Sequence, residues 1–419
     1  MQSLSSTVRR TEPFPIVAPP RRGVRRRTRR APRDAPCVAD PDRRASPDGA
    51  CVAGRGVRRR TRRASPDRRA PLDVGRWTWA GVRRRTRTGV LAAGRIYSAA
   101  VAVTERDLEA ALDAVLGSGS ELAPAVGALS AAYRSGGRPG KVLDSPTAAR
   151  AYAAFRMPAT FAAVRAALRA AGPQLRPATL LDLGGGTGAA VWAAAATLPS
   201  LLSAHVLDGS PAALALGRSL ATHAPAPVLA GATWTHTRWP AELPAADLVT
   251  LAYFAGELRA QEQVAVVAAA ADRARAVAVV EPGTPAGFGD LLRARDTLLG
   301  NGFRVVAPCP HDRSCPWAAG PDWCHFAARL PRSARHRQVK GGRLGWEDEK
   351  FSYVVAVRDG ADRPAGRIVR HPFQRKGLVE LTVCAARPGV ERVIVSKRRG
   401  TDYKAARDAG WGDAWPPHP

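Results

Sequence analysis

Thr179-Leu-Leu-Asp182-Leu-Gly184-Gly-Gly186-Thr-Gly188 is the stretch whose reading decides the fold. Its first five residues form a short apolar run with a single acid, which suits a buried strand. Ala189 to Leu198 then reads as a helix. The glycines between them let the backbone turn tightly and approach a ligand closely. Ala204-His-Val-Leu-Asp208 is a second strand, and its terminal acid lies 26 residues after Asp182. An acid in that place can accept both hydroxyls of a ribose. The glycine motif alone is weak evidence, but the order strand, loop, helix, strand, acid is specific.

Two ligand classes use this geometry. A dinucleotide sets its pyrophosphate on the helix N-terminus. S-adenosylmethionine has no phosphate and lays its amino-acid end and ribose across the same loop. Asp182 ahead of the first glycine opposes a phosphate and favours a cation, so the pattern points to S-adenosylmethionine. Asp182, Gly184, Gly186, Gly188 and Asp208 are the expected cofactor-binding residues. The bland alternative is a sheet that keeps the loop and binds nothing.

The alternation continues outward. Pro211 to Thr222 reads as a helix, Asp247 to Phe254 as a strand, Gln261 to Arg275 as a helix and Ala276 to Glu281 as a strand. This argues for a doubly wound parallel sheet. Before it, Thr104-Glu-Arg-Asp107 resembles an N-cap with an acidic first turn. Leu108, Leu112 and Val115, then Leu122, Val126, Leu129 and Tyr133, repeat at helical spacing. A further helix is expected over Ser145 to Ala171, with a break at Pro158. After Arg343, runs at Phe351–Val357, Gly366–Arg370, Leu378–Cys384 and Arg392–Ser396 read as a small antiparallel sheet or barrel.

The expected architecture is α/β: a Rossmann-like S-adenosylmethionine-dependent methyltransferase fold with an N-terminal helical segment and a small C-terminal β-rich domain. Its expected boundaries are a low-complexity segment over 1–100, helices over 101–175, the Rossmann-like domain over 176–305, a cysteine and basic stretch over 306–345, and the β-rich part over 346–419.

The first hundred residues are Arg-rich and repetitive. Gly23-Val-Arg-Arg-Arg-Thr-Arg-Arg recurs at Gly56 and nearly at Gly81. They hold 26 Arg/Lys against 7 Asp/Glu, or +19 of the formal +29 carried by 419 residues. Such a segment buries no core and is expected to be disordered. It reads as an over-extended gene start or an RNA-binding tail. Its regular Asp and Pro argue against a transit peptide. The basic body that follows suits a polyanion such as nucleic acid. No apolar run reaches the ~18 residues of a membrane span, and the N-terminus has no apolar core of a secretory signal. Six cysteines in this length make no secreted disulfide framework.

Four of those cysteines gather in the C-terminal half: Cys309, Cys315, Cys324 and Cys384, with gaps of 5, 8 and 59 residues. Thiolates grouped in this way hold a metal. Structural zinc favours Cys-x2–4-Cys pairs, which are missing here. An iron–sulfur cluster with four thiolates tolerates irregular spacing. Both remain open on spacing alone, with His311 and His325 as alternate ligands. Arg332, Arg335, Arg337, Lys340 and Arg343, with Arg329, place six basic side chains in fifteen residues. That strip is a candidate phosphate-contacting surface, or a solvated charged face.

Catalytic residues are not legible. Leu251-Ala-Tyr-Phe-Ala-Gly-Glu257 stands where RNA nitrogen methyltransferases often carry an Asn-Pro-Pro-Tyr type motif, and no cysteine nucleophile occurs between Val52 and Pro308. Tyr253 and Glu257 read as substrate-side residues, or as a core tyrosine and a helix-start acid.

Taken together, these residues resemble the methyltransferase-like proteins of the mitochondrial small ribosomal subunit and their bacterial relatives. The resemblance rests on Leu181-Asp-Leu-Gly-Gly-Gly-Thr-Gly188, Glu281-Pro-Gly-Thr-Pro285 and Cys309-Pro-His-Asp through Trp323-Cys-His-Phe326. It continues in Leu330-Pro-Arg-Ser, His336-Arg-Gln-Val-Lys-Gly341, Glu347-Asp-Glu-Lys-Phe-Ser-Tyr353 and Trp411-Gly-Asp413, covering roughly residues 105–415. It implies a four-iron four-sulfur cluster on Cys309, Cys315, Cys324 and Cys384, and binding to small-subunit rRNA during ribosome assembly. It leaves methyl transfer open. The expected setting is a bacterial cytoplasm, or the mitochondrial matrix in a eukaryote, with the chain a monomer and no membrane partner. An active rRNA methyltransferase, and a small-molecule methyltransferase with structural zinc, are the alternatives.

Overall fold

A computed structural model of the protein describes residues 103–417, except 118–119, 135–142, 144, 240, 336, 338–344, 361 and 388. The chain divides into two units, Met1–Val90 and Leu91–Pro419, and all described residues belong to the second. The Arg-rich segment over 1–100, with Cys37 and Cys51, lies outside the described residues, as do Lys340, Arg343 and the Tyr133 side chain.

Four helices come first: α1 (Glu105–Leu116), α2 (Ala123–Arg134), α3 (Pro146–Phe155) and α4 (Met157–Ala170). Thr104 caps α1 in a capping box with Asp107. The expected break near Pro158 falls at Arg156, which puts the proline in the first turn of α4. A proline is tolerated there because its missing N–H has no helical partner to lose.

The alternating region follows: β1 (Thr179–Leu183), α5 (Ala189–Ala195), β2 (Ser203–Asp208), α6 (Pro211–Ala221), α7 (Pro227–Ala230), β3 (Thr233–His236), β4 (Ala246–Ala252), α8 (Ala260–Arg273), β5 (Ala274–Pro282) and α9 (Pro285–Gly300). Next come β6 (Arg304–Ala307), β7 (Phe326–Pro331) and β8 (Trp346–Val357). The main sheet runs in the order β3-β2-β1-β4-β5-β8-β6, with β7 also paired to β8. β1 to β5 are parallel, and β8 is antiparallel to its neighbours. This is the Rossmann-like, doubly wound arrangement expected from the glycine-loop region.

The strands are nearly continuous apolar runs because both faces of the sheet are covered. Leu180, Val206, Leu248 and Val355 pack on the face that carries α1 to α6. Leu181, Val249, Val277 and Val354 pack on the other face, with residues of α8 and α9.

The boundary expected at 346 needs correction. Phe351 to Val357 pairs with β5 on one side and with β6 and Phe326 of β7 on the other, so it belongs to the main sheet. Its residues from Phe351 to Val357 are all buried, which a two-sided sheet demands and an isolated small sheet does not. The second sheet contains β9 (Gly366–Ile368), β10 (Phe373–Arg375), β11 (Leu378–Ala385) and β12 (Val390–Ser396), covered by α10 (Thr401–Asp408). Val379, Leu381 and Val383 alternate inward on β11. Strand parity therefore turns Cys384 to the opposite face.

Candidate functional site

The glycine loop sits where the chain order of the sheet reverses, with β1 between β2 and β4. Ligand crevices of open α/β sheets form at this point. Gly184 has φ 64°, and a Cβ there would collide with the Phe254 ring. Gly188 has φ 82° and leads into α5 against Trp234. Neither conformation nor spacing admits another residue without strain.

A cleft of about 640 Å³ opens over this loop. Tyr152 and Thr160 of the helical segment, Asp208 of β2, and Tyr253 and Glu257 after β4 share its lining. Asp208 Oδ2 accepts from Gly186 N at 2.9 Å and Oδ1 from Ser210 N at 2.7 Å. Each oxygen keeps a lone pair for a ligand hydroxyl. Asp182 sits beneath the loop, fully buried, with Oδ1 accepting from Thr250 Oγ1 at 2.6 Å and Oδ2 without a partner. Burial pushes its carboxyl up to about 7, against the pull of the Thr250 hydrogen bond. Burial, then repulsion from Asp208, pushes Glu257 up to about 8. Glu281, at the end of β5, accepts from Ala255 N at 2.8 Å. Burial, then Asp290, pushes it up to about 8 as well. Asp182, Asp208 and Glu257 line the cleft, and a bound cation would favour their ionised forms.

Tyr253 is the one described non-glycine residue with positive φ, at 58°. Its hydroxyl donates to Glu349 Oε1 at 2.8 Å, turned to β8. Arg156 grips the same carboxylate through two bonds, 2.8 and 3.1 Å, and its guanidinium lies 5.4 Å from the tyrosine ring centre. The loop after β4 is thus tied to both α4 and β8. Sequence reading favoured a core tyrosine and a helix-start acid at Tyr253 and Glu257; both line the cleft.

The second site lies at the junction of the two sheets. β6 and β7 pair with successive parts of β8 on one side, and residues 308–325 loop between them. That loop carries Cys309, Cys315 and Cys324, and β11 brings Cys384 to the same pocket. All four are free thiols. His311 joins them, with Nε2 3.8 Å from Cys384 Sγ and a buried Nδ1 that has no partner. His325 instead stacks on Trp323, centres 5.2 Å apart, and packs edge-on against Trp411. Ser352 Oγ anchors the Cys324 carbonyl at 2.8 Å, and Trp323 Nε1 the Gly283 carbonyl at 3.0 Å.

Burial, then the charges of the other three cysteines, pushes the Cys324 thiol well above its usual range. The same causes, burial first and then Cys309 and Cys315, push Cys384 up to about 12. Cys324 and Cys384, raised by burial and by the neighbouring thiols, belong to a donor set suited to a cationic group that would accept all four as thiolates. Among the described residues, no three His, Cys, Asp or Glu side chains converge closely enough for a single ion.

The basic strip is less uniform than its sequence. Arg335 is 3% exposed and paired with Glu109 and Asp113 of α1, so it ties the strip to the helical segment. Arg332 pairs with Glu347 at 3.0 Å, both side chains largely covered. Arg337 is exposed and donates to the Arg332 carbonyl at 3.3 Å. Lys340 and Arg343 lie outside the described residues. Among the described residues, no helix is long and apolar enough to cross a membrane.

Comparison with known proteins places these features in one lineage. A family model described as Mitochondrial small ribosomal subunit Rsm22 matches residues 146–416. The human ribosome assembly protein METTL17, mitochondrial, is 30% identical over 288 residues, covering 63% of this chain and 62% of that protein. Rsm22-cox11 tandem protein 2, mitochondrial, of Schizosaccharomyces pombe is 29% identical over 179 residues, 32% of this chain and 24% of that one. The chain therefore spans less than two thirds of either relative. Among solved structures, precorrin-6y C5,15-methyltransferase from Geobacter metallireducens matches with 16% identity over 46% of this chain and 86% of its own, at a TM-score of 0.31. Magnesium protoporphyrin IX methyltransferase from Synechocystis PCC 6803, with bound SAM, matches with 17% identity over 48% and 78%, also at 0.31.

Proposed function

We propose, from the premise that this chain belongs to the Rsm22 family of mitochondrial small ribosomal subunit proteins, that it is an assembly factor that docks on small-subunit rRNA. In this reading it carries S-adenosylmethionine in the glycine-loop cleft and an iron–sulfur cluster on Cys309, Cys315, Cys324 and Cys384. The observation that carries the proposal is the four-thiol pocket, built from three cysteines of one loop and a sequence-distant fourth from a different sheet. The irregular spacing of the four cysteines, with no Cys-x2–4-Cys pair, supports a cluster over zinc. When bound, such a cluster supplies covalent cross-links between the loop and β11. Its task is then to hold the two sheets and the neighbouring basic surface in one arrangement.

The acid-lined cleft supports S-adenosylmethionine, whose sulfonium and ammonium groups are cationic. Asp208 and Glu257 both line the cleft, and in this reading Asp208 would accept from the ribose hydroxyls and Glu257 would face a positively charged end. The Tyr253 hydroxyl is committed to Glu349 and away from the ligand, which favours binding over methyl transfer. The mitochondrial relatives suggest the matrix for a eukaryotic chain, and the cytoplasm is the counterpart in a bacterium.

The test is the full chain purified without oxygen. About four irons and four sulfides per chain, and co-sedimentation with small subunits on a sucrose gradient, are expected. Cys384→Ser should lose most of the iron. A colourless protein with one zinc refutes the cluster, and a protein that stays at the top of the gradient refutes the ribosomal role.

A further inference from the structure

Two buried guanidinium groups flank the thiol pocket, and among the described residues neither meets a buried carboxylate. Arg295 of α9 lines the pocket and is 3% exposed. Its Nη2 donates to the carbonyls of His311 at 3.2 Å and Arg313 at 2.7 Å, both in the loop from Cys309 to Cys315. Its Nε is buried and has no acceptor. Its ion-pair partner among the described residues is Asp296, 3.5 Å from Nη1 with a side chain 74% exposed, so water screens the attraction.

Arg367 stands opposite Cys384 in the β9–β11 pairing and is 5% exposed. It donates only to carbonyls: Pro308 at 3.1 Å, Gly412 at 3.0 Å and Ala170 at 3.5 Å. The other arginines nearby differ. Arg363 is paired with Asp312 at 2.6 Å and Arg370 with Asp322 at 2.5 Å, so they add little net charge.

A guanidinium does not shed its proton, so its burial is not relieved by neutralisation. A buried charge calls for a buried partner of opposite sign. Two positive charges beside one pocket therefore match a group that carries two negative ones. Four thiolates around a four-iron four-sulfur core of charge +2 sum to −2, which is that group.

We propose that Arg295 is a positioning residue for the thiolate-ligated cluster: it pins the Cys309–Cys315 loop through the His311 and Arg313 carbonyls, and its charge, with that of Arg367, balances the cluster's. This rests on the cluster reading above. Reduction by one electron takes the group from −2 to −3. A nearby buried cation favours the more negative state, so losing it makes reduction harder.

The experiment uses the full chain, purified anaerobically, with iron and sulfide assayed and a dithionite titration followed by electron paramagnetic resonance. Arg295→Gln should shift the midpoint potential negative. Arg295→Lys keeps the charge but not the two-carbonyl grip. It should hold the potential near wild type and release iron to a chelator several-fold faster. If Arg295→Gln does not fold, the lysine variant carries the test through its release rate. Wild-type protein without iron overturns the cluster reading and this inference with it. Iron-loaded wild type with an unshifted Arg295→Gln potential, or a lysine variant that releases iron at the wild-type rate, overturns this inference alone.

Discussion

Replacing Glu349 with alanine removes the carboxylate that Arg156 and Tyr253 share. The Arg156–Glu349 pair has side chains 17% and 13% exposed and two parallel hydrogen bonds of 2.8 and 3.1 Å. Removing one partner of such a covered pair costs about 3–5 kcal/mol. Tyr253→Phe removes only one hydrogen bond to a charged acceptor and should cost about 1.5–3 kcal/mol. Arg156→Met combined with Glu349→Leu replaces the pair by apolar groups of similar size. It should be markedly less damaging than Glu349→Ala alone. The assay is urea unfolding with linear extrapolation, read at unchanged slope. Titration with S-adenosylhomocysteine serves as the second readout. Tyr253 is held at φ 58° on the cleft wall, and releasing its hydroxyl lets that wall relax, so affinity should fall together with stability. A loss below about 1 kcal/mol refutes the reasoning, and so does a double variant no more stable than the single one.

Gly184→Ala should abolish ligand binding in the cleft, because its Cβ meets the Phe254 ring at a positive φ. Gly302→Ala, at φ 81° with nothing near, should cost only about 1 kcal/mol, and calorimetry with S-adenosylhomocysteine separates the two. Arg335→Ala should lower stability with little change in the salt dependence of rRNA binding, since its side chain is buried against α1. Arg337→Ala should do the reverse, reducing the salt slope by about one. Asp182, Glu257 and Glu281 are raised to about 7, 8 and 8. The folded chain then holds protons that the unfolded chain has released above about pH 4. Their stabilising contribution is full below that value and lost as pH rises through 7–8. The melting temperature should therefore fall between pH 5.5 and 8.5, less steeply in Glu257→Gln. A melting temperature that climbs across this window contradicts the assignment.

The glycine-loop region was legible because its signals are local. Strand β1 runs over Thr179–Leu183 as read, and the neighbouring strands and helices fall within a few residues of expectation. Short apolar runs bounded by glycine, proline and acid leave few alternatives. β3, β6 and β7, four to six residues long, escaped sequence reading because they lie outside the run of strand, loop and helix signals that marks β1 and β2. Two lie at chain turns with mixed polarity. β8 was seen as a strand but assigned to the wrong sheet. Its partners β5, β6 and β7 are set by long-range pairing, which no local pattern reports.

The same division runs through the sites. The sequence alone determined the glycine loop, since glycine conformations and the spacing to Asp208 are properties of one contiguous segment. It also marked four cysteines as a set, by their rarity. Only the tertiary structure decided what surrounds them. Arg295 comes from a helix and Arg367 from a strand, and both reach the pocket through packing. Arg335 has the same local sequence character as Arg337, yet one is buried against α1 and the other is exposed. A charge written in sequence has a sign but no dielectric; its environment, and with it its role, is assigned when the chain folds.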